Sequence, residues 1–108
     1  MRDTLMRLEQ TIAQRGDAAP ESSYVASLRA KGRGKIAQKV SEEATETIIA
    51  ALSGDAQQVT AESADLIFHL LILLRERGVS WDDVLAELDR REGVSGLVEK
   101  AARSNIEE

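Results

Sequence analysis

Carboxylates stand at short, regular intervals in two neighbouring stretches of the chain. Glu42, Glu43 and Glu46 belong to the first stretch, and Glu62 and Asp65 to the second. Side chains three or four positions apart share one face of an α-helix, so each stretch would present its carboxylates together if it were helical. Two facing groups of this kind repel each other unless a cation compensates them. Carboxylate oxygens suit hard divalent ions, so the pattern indicates a site for Mg²⁺, with Mn²⁺ as an alternative.

The plainer interpretation is that these glutamates are solvated residues on a helix surface. For any single glutamate that is the more frequent case. The repetition of the spacing on two adjacent stretches favours the metal site for the set as a whole. The chain has no cysteine, which excludes a thiolate zinc site, a cysteine nucleophile and a disulfide.

Basic residues precede the first group of carboxylates. No acidic residue occurs between Glu21 and Glu42, and this interval contains Arg29, Lys31, Arg33, Lys35 and Lys39. Lys35 and Lys39 are one helical turn apart on the side of the carboxylates. They could hold one end of a phosphate chain while a carboxylate-bound metal holds the other. The alternative is ordinary pairing along a helix, for example between Lys39 and Glu43.

The remaining candidates carry weaker signals. Lys100 and Arg103 could contact phosphate, but basic residues near a helix C-terminus need no ligand to explain them. His69, the sole histidine, stands among apolar residues, which favours a hydrogen-bonded core residue over a metal ligand. The sequence contains neither a G-x-x-x-x-G-K-[ST] phosphate loop nor a Ser/His/Asp signature.

Two long helices are predicted to position the carboxylates. Ala, Glu, Lys, Leu and Arg make up about half of the residues, proline occurs once and aromatic residues are 3%, which indicates long helices with an aliphatic core. An apolar stripe predicts a helix over residues 35–53, formed by Ile36, Val40, Ala44, Ile48 and Ala51. A second long helix is predicted over 56–77. A short loop at Gly54 makes the pair antiparallel and brings Glu46 level with Glu62.

Shorter helices are predicted around this pair. They cover residues 4–14, a segment from a Ser22 or Ser23 cap to about Ala30, residues 81–91 after a Ser80 cap, and residues 98–103. A glycine-containing hinge is predicted at 31–34. The expected fold is therefore an all-α helical bundle built on two long antiparallel helices.

The length and one apolar segment set the expected organisation. At 108 residues and 11.8 kDa the chain suits one domain, 1–108, with an N-terminal helix and loop at 1–20 and a flexible tail at 104–108. Residues 66–74 are apolar on every side of a helix, so they need partners all round, and a second copy of the chain would supply them. We therefore expect a homodimer, with a monomeric bundle core as the alternative.

Charge and hydropathy exclude several classes of partner. Fourteen basic and 19 acidic residues give a net charge of −5, which disfavours nucleic-acid binding and favours small or metal-linked partners. The apolar run 66–74 is far shorter than the roughly 20 residues that a membrane span needs. No apolar signal core follows Met1. A cytoplasmic protein without membrane or nucleic-acid partners is expected.

The carboxylate motifs resemble those of a known family. The pattern E-E-x-x-E at 42–46 followed by E-x-x-D at 62–65 is similar to the all-α nucleotide pyrophosphohydrolase superfamily and, within it, to the phosphoribosyl-ATP pyrophosphatase family. Further matches are Ser23-Tyr24, Lys31-Gly32, Lys35-Ile36, 39–46, 64–71 and 95–103. Ser41 stands where this family is expected to have glycine, and Phe68 where it is expected to have tyrosine. Neither position is a predicted ligand.

The resemblance implies a function and a role for each candidate. It implies Mg²⁺-dependent hydrolysis of phosphoribosyl-ATP, a nucleotide, to phosphoribosyl-AMP and pyrophosphate by a helical dimer. The implied metal ligands are Glu43, Glu46, Glu62 and Asp65. Glu42 would orient or deprotonate the attacking water, while Lys39, with Lys35 and Arg33, would neutralise the leaving pyrophosphate. The alternatives are a pyrophosphohydrolase of another nucleotide, such as a house-cleaning enzyme, and a non-catalytic helical interaction protein.

Overall fold

The computed structural model describes residues 3–92 and, beyond them, Lys100 and Arg103. This part of the chain is helical and contains no strand, which confirms the all-α prediction. Its helices are α1 (Thr4–Gly16), α2 (Tyr24–Lys31), α3 (Arg33–Ser53), α4 (Ala56–Glu76) and α5 (Trp81–Arg91). The predicted helix over 98–103 and the tail at 104–108 lie outside the described residues, apart from Lys100 and Arg103.

A tight antiparallel hairpin of α3 and α4 forms the centre of the fold. Only Gly54 and Asp55 connect the two helices. Asp55 begins α4 with a capping box: its Oδ1 accepts from the Gln58 backbone N–H at 2.9 Å, and its own N–H donates to Gln58 Oε1 at 3.0 Å. A Cβ on Gly54 would stand 2.9 Å from the Ala50 carbonyl oxygen, so this close turn requires glycine.

The junction of α2 and α3 is shorter than predicted. Lys31 is the last residue of α2 and Arg33 the first of α3, so Gly34 is helical and the hinge predicted at 31–34 consists of Gly32 alone. Gly32 has φ +97°, a left-handed conformation that glycine adopts without steric cost. The basic residues Arg33, Lys35 and Lys39 consequently lie on one regular helix.

Aliphatic side chains from the first four helices form the core, as the composition predicts. The fully buried cluster consists of Ile12, Val25, Leu28, Ile36, Leu71 and Ile72. Arg29 adds an ion pair across the outside of this core, since its Nε donates to Glu76 Oε1 at 2.6 Å and joins α2 to the end of α4. The core therefore fixes α1 and α2 against the C-terminal half of α4.

The apolar stripe predicted on α3 is only partly buried. Ile36 is fully buried, but Ile48 is 58% exposed, and the face of α3 that is buried runs through Ile36, Glu43 and Ala50. Steps of four residues advance about 40° beyond a full turn, so the stripe winds away from α4, whereas steps of seven residues stay on one side. The C-terminal half of α3 thus exposes apolar side chains in a single chain.

The apolar segment of α4 is also incompletely covered in one chain. His69, Leu71 and Ile72 are buried, while the other residues of 66–74 are half-buried. Among the described helices, none has the length and apolar character that crossing a membrane requires.

Candidate metal centre

Three of the predicted ligands meet across the α3–α4 hairpin. Glu43 from α3 and Glu62 and Asp65 from α4 each contribute one carboxylate oxygen to a group in which the three oxygens lie within 4.8 Å of one another. Glu43 is buried with 7% exposure, Glu62 is half-buried and Asp65 is open to solvent. The group is therefore buried at Glu43 and open to solvent at Asp65, so a metal ion and a substrate could reach the carboxylates from the Asp65 side.

Two oxygens of this group are without a partner. Glu43 Oε2 and Glu62 Oε2 are buried, and neither makes a hydrogen bond within the described part of the chain. A buried carboxylate oxygen without a donor is costly, because it has lost water and gained nothing in exchange. A hard divalent cation would satisfy both oxygens and offset the repulsion among the acids. The donor set fits such an ion.

Glu46 lies beside both Glu43 and Glu62. Burial raises the pKa of Glu43, and the neighbouring carboxylates of Glu46 and Asp65 raise this pKa further. Interaction with the Glu46 carboxylate is the main cause that raises the pKa of Glu62, followed by burial and the surrounding negative charges. Among the predicted metal ligands, the ionised forms of Glu43 and Glu62 are therefore disfavoured without a cation.

These raised pKa values predict how metal-free stability depends on pH. Glu43 and Glu62 bind a proton more tightly in the folded than in the unfolded state, so their contribution is fully present below about pH 4.3 and is lost as pH rises through their folded pKa values. We expect Glu43→Gln to raise the melting temperature by about 4 °C at pH 8 in chelator and to change it little at pH 4.5. Thermal melts monitored by circular dichroism at both pH values measure this.

An excess of Mg²⁺ provides the control for that experiment. The ion should stabilise the wild type at pH 8 and have much less effect on Glu43→Gln, because that variant lacks one carboxylate of the candidate site. Equal melting temperatures for the two proteins in chelator at pH 8 would contradict the burial of an uncompensated charge at Glu43.

Glu42 lies outside the three-residue group, next to Lys39. Its Oε1 accepts from Gln38 Nε2 at 2.9 Å, and Lys39 Nζ lies 3.4 Å from Glu42 Oε2 and 3.8 Å from Glu43 Oε1. The bond from Gln38, and then Lys39, lower the pKa of Glu42. The charge interaction with Tyr24, followed by a hydrogen bond with Glu42, raises the pKa of Lys39. At neutral pH an ionised carboxylate and an ammonium therefore stand side by side at the edge of the group.

The other predicted phosphate contacts are less closely tied to the acids. Lys35 is half-buried one turn before Lys39, and its charge contributes to the lowered pKa of Glu42. Arg33 is exposed at the start of α3. Lys100 and Arg103 are exposed helical positions, and among the described residues no contact links them to the carboxylates.

A cavity adjoins the acidic group on the side of the hairpin turn. Its volume is about 300 Å³, and its walls are Glu46, Ile49, Ala50, Ser53, Gly54, Gln58 and Glu62. A cavity of about 370 Å³ lies elsewhere, between α1, the end of α4 and the loop that follows α4, and contains none of the predicted ligands. The smaller of these two cavities is the one lined by predicted metal ligands, Glu46 and Glu62. Sequence reasoning missed its Ser53 and Gln58, which carry no charge pattern.

Sequence reasoning gave Tyr24 no role in the site, although Ser23-Tyr24 is one of the matches to the family pattern. Its hydroxyl lies 2.8 Å from Nε2 of His69, and His69 is a buried, hydrogen-bonded residue, as predicted. The two residues are 45 positions apart in the chain. Its place in the family pattern and the scarcity of aromatic residues, three in all, were the signals that pointed to Tyr24.

Comparison with known proteins identifies similar sequences. The family model described as phosphoribosyl-ATP pyrophosphohydrolase matches residues 5–92. The phosphoribosyl-ATP pyrophosphatase of Erythrobacter litoralis is 66% identical over 95% of this chain and 99% of its own length. The enzymes of that name from Rhizorhabdus wittichii and Methylococcus capsulatus are 65% and 52% identical, over 95% and 94% of this chain and 97% and 96% of their own lengths.

Proposed function

Because the chain belongs to the phosphoribosyl-ATP pyrophosphohydrolase family, we propose that it hydrolyses phosphoribosyl-ATP to phosphoribosyl-AMP and pyrophosphate, a reaction of histidine biosynthesis. The observation that carries this proposal is the 66% identity to a phosphoribosyl-ATP pyrophosphatase over almost the entire length of both chains. The acidic group of Glu43, Glu62 and Asp65 lies inside the matched region and supports the same chemistry.

The proposed cofactor is Mg²⁺, with Mn²⁺ as a substitute. Glu43, Glu62 and Asp65 would hold it together with Glu46, and the unpartnered oxygens of Glu43 and Glu62 support this assignment. When bound, the ion supplies positive charge that neutralises phosphate oxygens and makes a water molecule more acidic. The residues around it determine where the substrate and the water are placed.

Glu42 and Lys39 are the proposed catalytic residues. The lowered pKa of Glu42 keeps its carboxylate ionised, so it can orient the attacking water and accept its proton. Lys39, with Lys35 and Arg33 on the same helix, would bind the departing pyrophosphate and stabilise the negative charge that develops on it. Lys100 and Arg103 remain candidate phosphate contacts from the C-terminal part of the chain.

Pyrophosphate release from a panel of nucleotides tests the proposed activity. We expect Mg²⁺-dependent release from phosphoribosyl-ATP and much slower release from ATP and deoxynucleoside triphosphates. Faster turnover of a deoxynucleotide would assign the chain to a house-cleaning role. No release from any nucleotide, together with a melting temperature that Mg²⁺ leaves unchanged, would instead support a non-catalytic interaction protein.

We further propose that the single domain 1–108 acts as a homodimer. The exposed apolar residues Ile48, Ile49 and Leu52 at the end of α3 are 58%, 57% and 83% accessible, and a second copy of the chain would cover them together with the half-buried face of α4. The cytoplasmic location remains a prediction from the sequence.

Light scattering tests the dimer directly. We expect a mass of two chains at micromolar concentration for the wild type. Leu52→Glu should give one chain, because Leu52 is 83% exposed in a single copy and a buried glutamate would oppose association. Met6→Glu, at a half-exposed position on α1, is the matched control and should stay dimeric. A wild-type mass of one chain would refute the dimer.

A further inference from the structure

His69 is a buried titratable residue for which the proposed reaction has no use. It lies on α4 one turn after Asp65 and is 5% exposed. Its Nδ1 is 2.8 Å from the backbone carbonyl oxygen of Asp65. A carbonyl oxygen only accepts hydrogen bonds, so Nδ1 carries a proton, and in the neutral imidazole Nε2 then presents a lone pair. Nε2, on the side of the ring away from Asp65, is thus a hydrogen-bond acceptor.

Tyr24 supplies the donor that this lone pair requires. The Tyr24 hydroxyl is 2.8 Å from His69 Nε2 and donates to this nitrogen when the proton of the imidazole is on Nδ1. The Tyr24 ring stacks on Phe68 with centroids 6.3 Å apart, while the His69 ring meets Tyr24 and Phe68 edge-on at 5.7 and 5.2 Å. Two of the chain's three aromatic residues therefore enclose its one histidine and fix the orientation of the imidazole.

The same contacts reach the acidic group. Tyr24 is the first residue of α2, so its hydrogen bond to His69 ties the start of that helix to the middle of α4. The His69 ring in turn hydrogen-bonds the backbone carbonyl of Asp65. The carboxylate of Asp65 lies near those of Glu43 and Glu62. Displacing the Asp65 turn would spread the three oxygens apart, and metal sites are sensitive to the residues that orient their ligands.

We propose that His69 and Tyr24 are positioning residues of this acidic group, which hold the Asp65 turn of α4 in the register that divalent-metal binding requires. The proposal rests on the proposed function for its metal site. Neither residue touches the metal or the substrate in this role. They act through the Asp65 backbone and, behind it, through the packing of α2 on α4.

Tyr24→Phe is the most selective test, because it removes one hydroxyl and keeps the ring that packs on Phe68. We expect about tenfold weaker binding of Mn²⁺ to the substrate-free protein, measured by electron paramagnetic resonance, and a comparable loss of kcat at subsaturating Mg²⁺. Thr60→Val is the matched control. It removes a hydroxyl that bonds only the Ala56 carbonyl within α4 and should bind Mn²⁺ like the wild type.

His69→Asn distinguishes the hydrogen bond to the Asp65 carbonyl from the hydrogen bond to Tyr24. The shorter amide can still donate to the Asp65 carbonyl but does not reach Tyr24, so we expect the same loss of Mn²⁺ affinity as in Tyr24→Phe. The double variant should lose no more than either single variant, because both remove the same hydrogen bond. Additive losses would overturn the assignment of one shared role.

A purely structural role gives a different result. It would lower the melting temperature of Tyr24→Phe and leave the Mn²⁺ affinity of the folded protein at the wild-type value, and that outcome would overturn the proposal. The Mn²⁺ measurement needs no substrate. If the wild type binds Mn²⁺ but fails to hydrolyse phosphoribosyl-ATP, the proposed activity is wrong while the positioning role is still tested.

Discussion

Asp65→Asn is expected to lower kcat for phosphoribosyl-ATP hydrolysis by about a thousandfold or more while leaving a folded protein. The change removes one negative charge at almost constant shape. Asp65 is open to solvent, and its carboxylate lies near those of Glu43 and Glu62, so an amide there costs the fold little and removes one charged ligand from the proposed metal site. Because a metal ion supplies much of the charge stabilisation in such reactions, losing it affects the transition state most.

The measurement combines steady-state kinetics over a range of Mg²⁺ with Mn²⁺ binding and circular dichroism. Asp82→Asn is the matched control, since Asp82 is an exposed aspartate in the first turn of α5 and lies outside the acidic group. Glu46→Gln should show a similarly large loss of kcat, because Glu46 interacts with both Glu43 and Glu62. Normal turnover in a folded Asp65→Asn or Glu46→Gln protein would remove that residue from the proposed metal site.

The helices could be predicted because their signals are local. Ser80 begins α5 by accepting from the Asp83 backbone N–H at 3.0 Å, and Asp83 Oδ2 accepts from the Ser80 N–H at 2.9 Å; both residues are visible in four letters of sequence. Gly54 and Gly78 likewise mark helix ends. Capping residues and helix-ending glycines act within a few positions, so they can be recognised without knowing how the rest of the chain packs.

The packed face of α3 could not be predicted from its apolar residues. Its buried positions include Glu43, a charged residue that a hydrophobicity pattern assigns to the surface. The same pattern places Ile48 in the apolar stripe of α3, although its side chain is exposed. A site that stabilises a cation places acids where the pattern expects aliphatic residues, so the pattern is least informative where the chemistry is expected.

The grouping within the site was predicted only in part. The spacing of the carboxylates predicted that Glu43, Glu62 and Asp65 lie close together, as they do in the structure. It did not distinguish the surroundings of Glu42 from those of Glu43. Adjacent residues on a helix point about 100° apart, and Glu42 therefore joins Gln38 and Lys39. The hydrogen bond between Tyr24 and His69 could not be predicted from the sequence, because it depends on how α2 packs against α4.

Lys39→Ala is expected to lower kcat by about a hundredfold, whereas Lys31→Ala should leave kcat close to that of the wild type. Lys39 lies on the carboxylate side of a regular helix, 3.4 Å from Glu42 and 3.8 Å from Glu43. Lys31 is an exposed residue at the end of α2. A charge beside the departing pyrophosphate gains strength as the bond breaks, so its removal lowers kcat and not only substrate affinity.

Kinetics of the two alanine variants at saturating Mg²⁺ distinguish this role from simple ion pairing. If Lys39 only paired with Glu42 and the buried Glu43, its removal would lower the melting temperature and leave kcat unchanged. Lys39→Arg keeps the positive charge and should recover part of the lost rate. Equal, near-wild-type kcat values for Lys39→Ala and Lys31→Ala would exclude Lys39 from the reaction, and the leaving group would then depend on the other basic residues of α3.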